Sequence, residues 1–218
     1  MKTLAFLIIA FCLNTGEKGL TGNRINNFNE GTRTSSEMTG DGEYTLVSSK
    51  SILNWTGKKV GGEHHGTVTI SGGALKIENG MMVSGKFTVD MNSIVDKDLE
   101  NVEMNAMLVN HLKSADFFEV AVYPTATFTL KQGILKSGSG QEAGRYEITG
   151  SLTIKGITHD ITFISDLKKG KTISIVSDEI VLDRTRWNVN YQSKTVFAQL
   201  KDQYIHDEMY VTVEMELQ

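Results

Sequence analysis

Apolar and polar residues alternate along several long stretches of the chain, and this alternation restricts the fold more than any other feature. The clearest examples are residues 82–91, 146–155 and 209–217. Successive side chains of a β-strand point to opposite faces of a sheet, so each stretch predicts a strand with one buried and one exposed face. Turn signals separate these stretches, and Asn79-Gly80 predicts a tight hairpin.

About eight such strands between residues 43 and 218 predict one all-β domain. An apolar sheet face is hidden either by a second sheet or by closure into a barrel. The long central strands, and a strong C-terminal strand that can pair with the first, favour a closed antiparallel barrel. A two-sheet sandwich is the alternative. In residues 82–91 the alternation places Val83 and Phe87 on the apolar face and Met82 on the polar face.

One stretch departs from this alternation. Between Leu99 and Leu112 the apolar residues recur at spacings of three and four, which predicts a single amphipathic helix inserted between two strands. Such a helix either covers one end of a barrel or packs against its outside. The spacing alone does not distinguish these two positions.

Composition and motifs exclude several classes of function. A net charge of −4 does not suit a protein that binds nucleic acid through its phosphates. The single cysteine excludes an internal disulfide framework and a cysteine-rich zinc module. Glu63-His64-His65 resembles a metal-binding fragment, but neighbouring strand residues face opposite sides, so one ion would not readily take both histidines. No nucleophile elbow, phosphate loop or zinc-helix motif is present. We therefore predict no enzyme activity, no cofactor and no metal site.

The N-terminal segment is treated apart from the fold. Lys2 and the apolar run of residues 4–13 predict a secretory signal over residues 1–16, since the run is too short to span a bilayer. Residues 17–42 contain few large apolar side chains and predict a flexible linker. Cys12 resembles the lipidated cysteine of bacterial lipoproteins, although Phe11 stands where a small residue is usual. The other interpretation is a small hydrophobe of the signal. We expect an exported, periplasmic protein, with envelope attachment through Cys12 as a further hypothesis.

Three separated motifs resemble those of the YceI-like family of exported bacterial proteins. Residues 114–128 resemble its "SADFFDV..YPTITF" signature, residues 87–94 its "VDMNSI" strand, and residues 150–158 its "G.LTIHGVT" strand and turn. Residues 183–191 are similar to the form seen in Bacteroidetes-type members. The resemblance implies a lipocalin-like barrel of eight antiparallel strands with one inserted helix. It also implies an apolar cavity that holds a polyisoprenoid or similar amphiphile, such as a prenyl quinone or prenyl phosphate.

Large apolar side chains near the motifs and on inward faces are the candidate ligand-binding residues, and each is equally consistent with ordinary core packing. They are Phe87, Phe117, Phe118, Phe128, Leu130, Ile148, Leu152, Phe163, Trp187 and Tyr191. Arg184 and Arg186 are candidates for headgroup recognition, and the alternative for Arg184 is a pair with the adjacent Asp183 or plain exposure to solvent. A ligand-free structural domain with a filled interior, and a metal-dependent enzyme, are the alternative functions.

Overall fold

Antiparallel strands close into a ring in the part of the chain that the structure describes. The computed structural model describes residues 40–140, 142–197, 199–200 and 203–218. Its strands and helix, in chain order, are β1 (Gly42–Thr45), β2 (Ile52–Lys59), β3 (Gly62–Glu78), β4 (Met81–Asp96), α1 (Val102–Lys113), β5 (Thr125–Gly138), β6 (Ala143–Ile154), β7 (Ile157–Lys169), β8 (Ile173–Ser177), β9 (Ile180–Asp183) and β10 (Ile205–Leu217).

The ring has the order β2-β10-β8-β7-β6-β5-β4-β3, and β3 pairs again with β2. β8 and β9 together occupy one strand position beside β10, because β10 pairs with β8 over residues 214–217 and with β9 over residues 208–211. β1 pairs with residues 74–77 of β3, beyond the stretch that pairs with β2, and its end is bonded to the end of β10, so β1 continues the position of β2 in the ring. The predicted eight-stranded antiparallel barrel is therefore confirmed, and the sandwich alternative is wrong.

The predicted hairpin joins β3 to β4 and marks one end of the barrel, here called the hairpin end. Asn79 and Gly80 both have positive φ, 52° and 72°, as a two-residue turn with the twist of the strands requires. The Asp41 carboxylate accepts hydrogen bonds from both backbone N–H groups, at 2.6 and 3.0 Å. β1 begins at Gly42, one residue before the predicted start of the domain at residue 43.

Side chains fill the barrel at the hairpin end. Ile173 and Leu217 have no exposed surface, and Ile77 is only 2% exposed. Leu46 forms a β-bridge with Leu217 and packs into the same cluster. This end of the barrel is consequently a solid hydrophobic core.

Helix α1 lies at the opposite end of the barrel, here called the helix end. It begins at Val102, three residues later than predicted, because the Asn101 side chain accepts a hydrogen bond from the Met104 N–H and caps it. The Asn105 side chain donates to Asp96 at the end of β4, and Leu112 lines the barrel interior. The helix therefore covers a barrel end, which decides between the two predicted positions.

Local breaks in strand pairing change which residues point inward. Along β4, Phe87, Val89 and Met91 line the interior, but the next inward residues are Ile94 and Asp96. The pairing of β4 with β3 shifts here, and the Ser93 hydroxyl accepts the hydrogen bond of the Thr69 N–H. An extra residue in one strand reverses the alternation beyond it.

A second shift in the same pair corrects one prediction. Between Lys76 and Ile77 the register with β4 changes. As a result Met82 lines the interior, whereas Val83 is 43% exposed. The assignment of Val83 to the buried face was wrong, because the alternation in the sequence does not show where a bulge interrupts it.

Cys12 and the predicted signal lie outside the described residues, as does the predicted linker apart from residues 40–42. Among the described residues, no helix is both long and apolar enough to cross a bilayer.

Two adjacent glycines of β3 should differ sharply in their tolerance of a side chain. A Cβ at Gly73 would lie 2.6 Å from the Lys86 carbonyl oxygen and 2.4 Å from the Phe87 ring, whereas a Cβ at Gly72 would meet nothing within 4 Å. We expect Gly73→Ala to lower the free energy of unfolding by about 2–4 kcal/mol, through overpacking and backbone strain. Gly72→Ala is the control and should change it by less than about 0.5 kcal/mol. Urea unfolding measures both, and equal values for the two variants would contradict the packing described here.

Candidate functional site: an apolar cavity inside the barrel

The barrel encloses a cavity of about 240 Å³ between its solid hairpin end and the helix end. Alternate residues of the strands form its wall, and nearly all of them are aliphatic, aromatic or methionine side chains. The space arises because these strands present their apolar face inward, as the period-two pattern predicts. The arrangement suits the burial of an apolar molecule or chain.

Most of the predicted ligand-binding residues lie in this wall. Phe117 and Phe118 belong to the wall and come from the segment after α1. Phe128 and Phe163 also belong to the wall, and their rings contact each other with centroids 5.7 Å apart. The remaining predicted residues in the wall come from β4, β5 and β6, and are Phe87, Leu130, Ile148 and Leu152. The structure therefore brings together eight of the ten apolar candidates.

The structure places Trp187 and Tyr191 outside the wall. Trp187 is fully buried, and its indole N–H donates to the Leu152 carbonyl oxygen at 3.1 Å, so it packs behind the wall. Tyr191 packs against His111 and Phe117, with ring centroids 4.6 and 5.3 Å away. Both residues support wall elements from outside the cavity.

Arg184 lies in the wall but is used mainly by the fold. It is 4% exposed, and its guanidinium donates to three backbone carbonyl oxygens, those of Val189, Ile205 and His206. A side-chain oxygen of Asp207 lies 3.5 Å from it. Arg184 thus fastens the turn after β9 to the start of β10.

Arg186 lies elsewhere, although it is only two residues away. Its side chain is exposed, stacks over the Trp187 ring at 5.2 Å and donates to the Asp160 carbonyl oxygen. The structure places the two predicted headgroup ligands in different surroundings, and only Arg184 borders the cavity.

Sequence reasoning missed a large part of the wall. Leu53 and Trp55 contribute from β2, Val68 and Ile70 from β3, and Ile161 from β7. The inward positions of β10 contribute four more residues, Met209, Val211, Val213 and Met215. The period-two pattern of β10 was visible, but the candidates were taken mainly from the strands and turns around the family motifs, and β2, β3 and β10 lie outside them.

Polar groups in the wall gather near the helix end. They include Thr56 near the end of β2, Arg184 after β9, and His206 and Glu208 at the start of β10. The register places these segments side by side, since Met209 pairs with Gly57. Glu208 is exposed to solvent as well as bordering the cavity, so the cavity reaches the surface here.

A separate cluster of ionisable groups lies at the helix end. His64 Nδ1 is 2.9 Å from Asp98 Oδ2, and the His65 N–H donates to Asp98 Oδ1 at 2.7 Å. Burial raises the pKa of Asp96, and the neighbouring Asp98 raises it further. Burial alone would also raise the pKa of Asp98, but the hydrogen bonds from His65 and His64 outweigh this effect and hold its pKa at about 2.

Comparison with known proteins agrees with this architecture. The family model described as the YceI-like domain matches residues 44–217. The chain belongs to the YceI-like family. Among curated relatives, Protein YceI of Salmonella arizonae is 34% identical over 90 residues, which cover 38% of this chain and 44% of the relative. The chain thus spans less than half the length of the curated relatives it matches.

Two solved structures share the fold at low sequence identity. Burkholderia cenocepacia BcnA superposes with a TM-score of 0.58 and 20% identity, covering 78% of this chain and 98% of that one. A polyisoprenoid binding domain from Saccharophagus degradans gives a TM-score of 0.58 and 14% identity, covering 80% and 97%. At these sequence identities, the superpositions show that the three proteins share a fold.

The buried pair of Arg184 and Asp207 should make stability depend on pH. Burial would raise the pKa of Asp207, but hydrogen bonds from Ser193 and Thr195 and the charge of Arg184 outweigh burial and lower it. Its stabilising contribution is therefore complete above the usual aspartate pKa of about 3.9 and is lost as the pH falls through the lower folded value. We expect Asp207→Asn to cost about 3 kcal/mol at pH 7, because Arg184 loses its charge partner.

Urea unfolding of both proteins between pH 7 and pH 2 measures this difference. The gap between wild type and Asp207→Asn should narrow below pH 4, since protonation removes the same charge from the wild type. Glu208→Gln, which alters an exposed carboxylate on the same strand, is the control and should show no such gap. A gap that stays constant down to pH 2 would contradict the assigned pairing.

Proposed function

We propose that this protein binds the apolar chain of an isoprenoid or similar amphiphilic lipid inside the barrel and carries or sequesters it. The observation that carries the proposal is the cavity of about 240 Å³ with its almost wholly apolar wall. The family and the fold shared with the Saccharophagus polyisoprenoid binding domain support it. Transfer of an apolar chain from water into a cavity with such a wall is favourable by about 25 cal/mol per Å² of chain surface buried.

The energetic cost of the cavity argues against the structural alternative. An empty apolar cavity costs about 24 cal/mol per Å³, so one of about 240 Å³ costs on the order of 6 kcal/mol. That cost is comparable to the whole stability of many domains. Larger side chains at wall positions such as Ala126 or Gly57 would remove it. A barrel that served only as a scaffold would have no reason to keep the space open.

The distribution of polar groups orients the proposed ligand. The hairpin end is solid core, whereas Arg184, His206 and Glu208 border the cavity at the helix end. A buried headgroup without partners would cost several kcal/mol, so the headgroup stays at the helix end and the chain extends inward. Arg184 is the arginine that borders the cavity, although most of its N–H groups already bind backbone carbonyls.

Methionine side chains give the wall room to adapt. The cavity volume of about 240 Å³ falls just below the range of roughly 300–1,000 Å³ common for small-molecule sites. Met82, Met91, Met209 and Met215 all lie in the wall. Their unbranched, flexible side chains can change rotamer around a chain of variable shape. A prenyl chain, with its repeated methyl branches, is the ligand class that we favour.

The direct test is chemical. Protein purified from its native host, or from a bacterial expression host, is extracted with organic solvent, and the extract is analysed by mass spectrometry. We expect a prenyl lipid, such as a prenyl quinone or prenyl phosphate, near one molecule per protein. Folded protein without any extractable lipid, which also fails to take up an added prenyl quinone, would overturn the proposal.

A side chain placed in the cavity should compete with the lipid. Gly57 borders the cavity, and a Cβ there would meet nothing within 4 Å. We expect Gly57→Phe to fold and to reduce affinity for an added prenyl quinone about tenfold, the equivalent of displacing roughly 60 Å² of buried chain. Gly72→Phe is the matched control, because Gly72 is also an unobstructed strand glycine but lies outside the wall. Equal affinities for the two variants would count against the cavity as the binding site.

We also propose that the protein is exported through the segment 1–16 and held at the envelope by an acyl group on Cys12. Labelled palmitate should then enter the wild type, and Cys12→Ser should abolish the labelling and release the protein from the membrane fraction. A mature exported form that begins downstream of Cys12 would contradict the anchor. Its N-terminal sequence decides the matter directly.

A further inference from the structure

Three ionisable side chains converge at the helix end of the barrel, beside the cavity. His64 lies on β3 opposite Gly57 of β2, Asp96 ends β4, and Asp98 follows it in the loop before α1. One nitrogen or oxygen of each residue lies within 4.8 Å of the corresponding atoms of the other two. Both His64 and Asp96 are directed here by the fold, since the shift in β4 at Ser93 turns Asp96 inward.

Asp96 supplies the observation that points to a ligand. It is only 5% exposed. Its Oδ1 accepts hydrogen bonds from the Leu99 N–H and the Asn105 side chain, at 2.9 and 3.0 Å. Its Oδ2 is buried and has no hydrogen-bond donor in the described part of the chain. Buried carboxylate oxygens are normally paired, because an unpaired one is costly.

As a carboxylate, Asp96 finds no donor for that oxygen among its neighbours, and it can pair with Asp98 only by holding a proton, which a bound cation would replace. Asp98 is itself an acceptor, and its two oxygens already face the His65 N–H and His64 Nδ1. Two carboxylates therefore share one imidazole in a partly buried site. A cation between them would satisfy the free oxygen and offset the repulsion between the two carboxylates.

The ligand set and spacing fit a first-row transition metal. His64 Nδ1 and Asp98 Oδ2 are 2.9 Å apart, and a separation of about 3.4 Å, as between two tetrahedral ligands that each lie about 2.1 Å from one ion, requires only a small movement of the two side chains. An imidazole with two carboxylates suits Zn²⁺ and related ions, whereas Ca²⁺ takes oxygen ligands. His64 borders an open depression between α1 and the start of β10, which gives an ion a path from solvent.

We propose that His64, Asp96 and Asp98 bind one divalent first-row transition-metal ion, with Zn²⁺ as the probe, and that the ion fastens β3 to the loop before α1. The site is independent of the lipid, because none of the three residues lines the cavity. His65 does not complete it, since its ring nitrogen is 3.8 Å from Asp98 and its side chain is 55% exposed.

The experiment uses tag-free, full-length protein, washed with a chelator and titrated with ZnCl₂ by isothermal calorimetry and thermal unfolding. We expect one ion per chain in the wild type. At a hundredfold excess over the dissociation constant, the melting temperature should rise by about 5–10 °C. Asp96→Asn and His64→Gln should abolish both effects. Asp96→Asn should fold normally, because the asparagine carbonyl can keep the Leu99 hydrogen bond and its amide can donate to Asp98.

Asp116→Asn is the matched control. Asp116 and His111 form another histidine–aspartate pair, with a nitrogen–oxygen distance of 3.0 Å. This control should bind Zn²⁺ as the wild type does, which separates the proposed site from weak binding at other histidines or at Cys12. Absence of stoichiometric binding in the wild type, or undiminished binding in folded Asp96→Asn, would overturn the proposal. Lipid content is measured in the same samples, so a failure of lipid binding is seen separately.

Discussion

The pairing of β10 with strands on both of its sides is the interaction on which the rest of the structure depends. On one side it pairs with β2, and on the other with β8 and β9, so it completes the ring. The same strand presents Met209, Val211, Val213 and Met215 to the cavity. Where β10 pairs with β2 and β8, closure leaves no free strand edge, so backbone groups bond to one another and side chains face the interior. An apolar cavity is possible for that reason. Among the described strands β9 pairs only with β10, and β7 pairs with β8 only over Ser165–Lys169.

Closure also explains why a buried arginine is found so close to an apolar space. The start of β10 lies far along the sequence from the end of β9, and Arg184 joins the turn after β9 to β10 by donating to carbonyls on both segments. Asp207 of β10 supplies the compensating charge. The contacts of Arg184 in Asp183-Arg184-Thr185 therefore stabilise the fold at the helix end, whether or not a ligand is bound. Replacement of Arg184 would alter the fold and the cavity together, whereas Gly57 gives access to the cavity alone.

Much of this fold could be predicted from the sequence, because its dominant signal is physical and local. The period of two along residues 146–155 and 209–217 reports one apolar and one polar face, and the structure confirms both. The turn at Asn79-Gly80 follows from two residues that tolerate positive φ. What could not be predicted is where strands gain a residue. Met82 and Val83 exchange faces at one such point, and nothing in their own sequence shows it.

The candidate sites differ in predictability for the same reason. Aromatic residues such as Phe117 and Phe128 stand out in the sequence and do line the cavity, whereas Trp187 stands out equally and packs behind it. The metal-like fragment at His64 was recognisable. Its partners Asp96 and Asp98 lie more than thirty residues away, and their approach depends on the shift at Ser93. Which side chains meet across neighbouring strands cannot be predicted until the register of the strands is known.

The solid core at the hairpin end has a consequence for traffic through the barrel. The cavity is closed at this end, because buried side chains fill the barrel there, namely Leu46, Ile77, Ile173 and Leu217. A molecule inside the cavity would therefore enter and leave at the helix end, and the amphiphile proposed above would enter with its apolar chain first. Under the proposed function, exchange of the lipid would then take place at a single face of the molecule. If the protein carries a lipid as proposed, that one face would have to meet the donor of the lipid and then its acceptor.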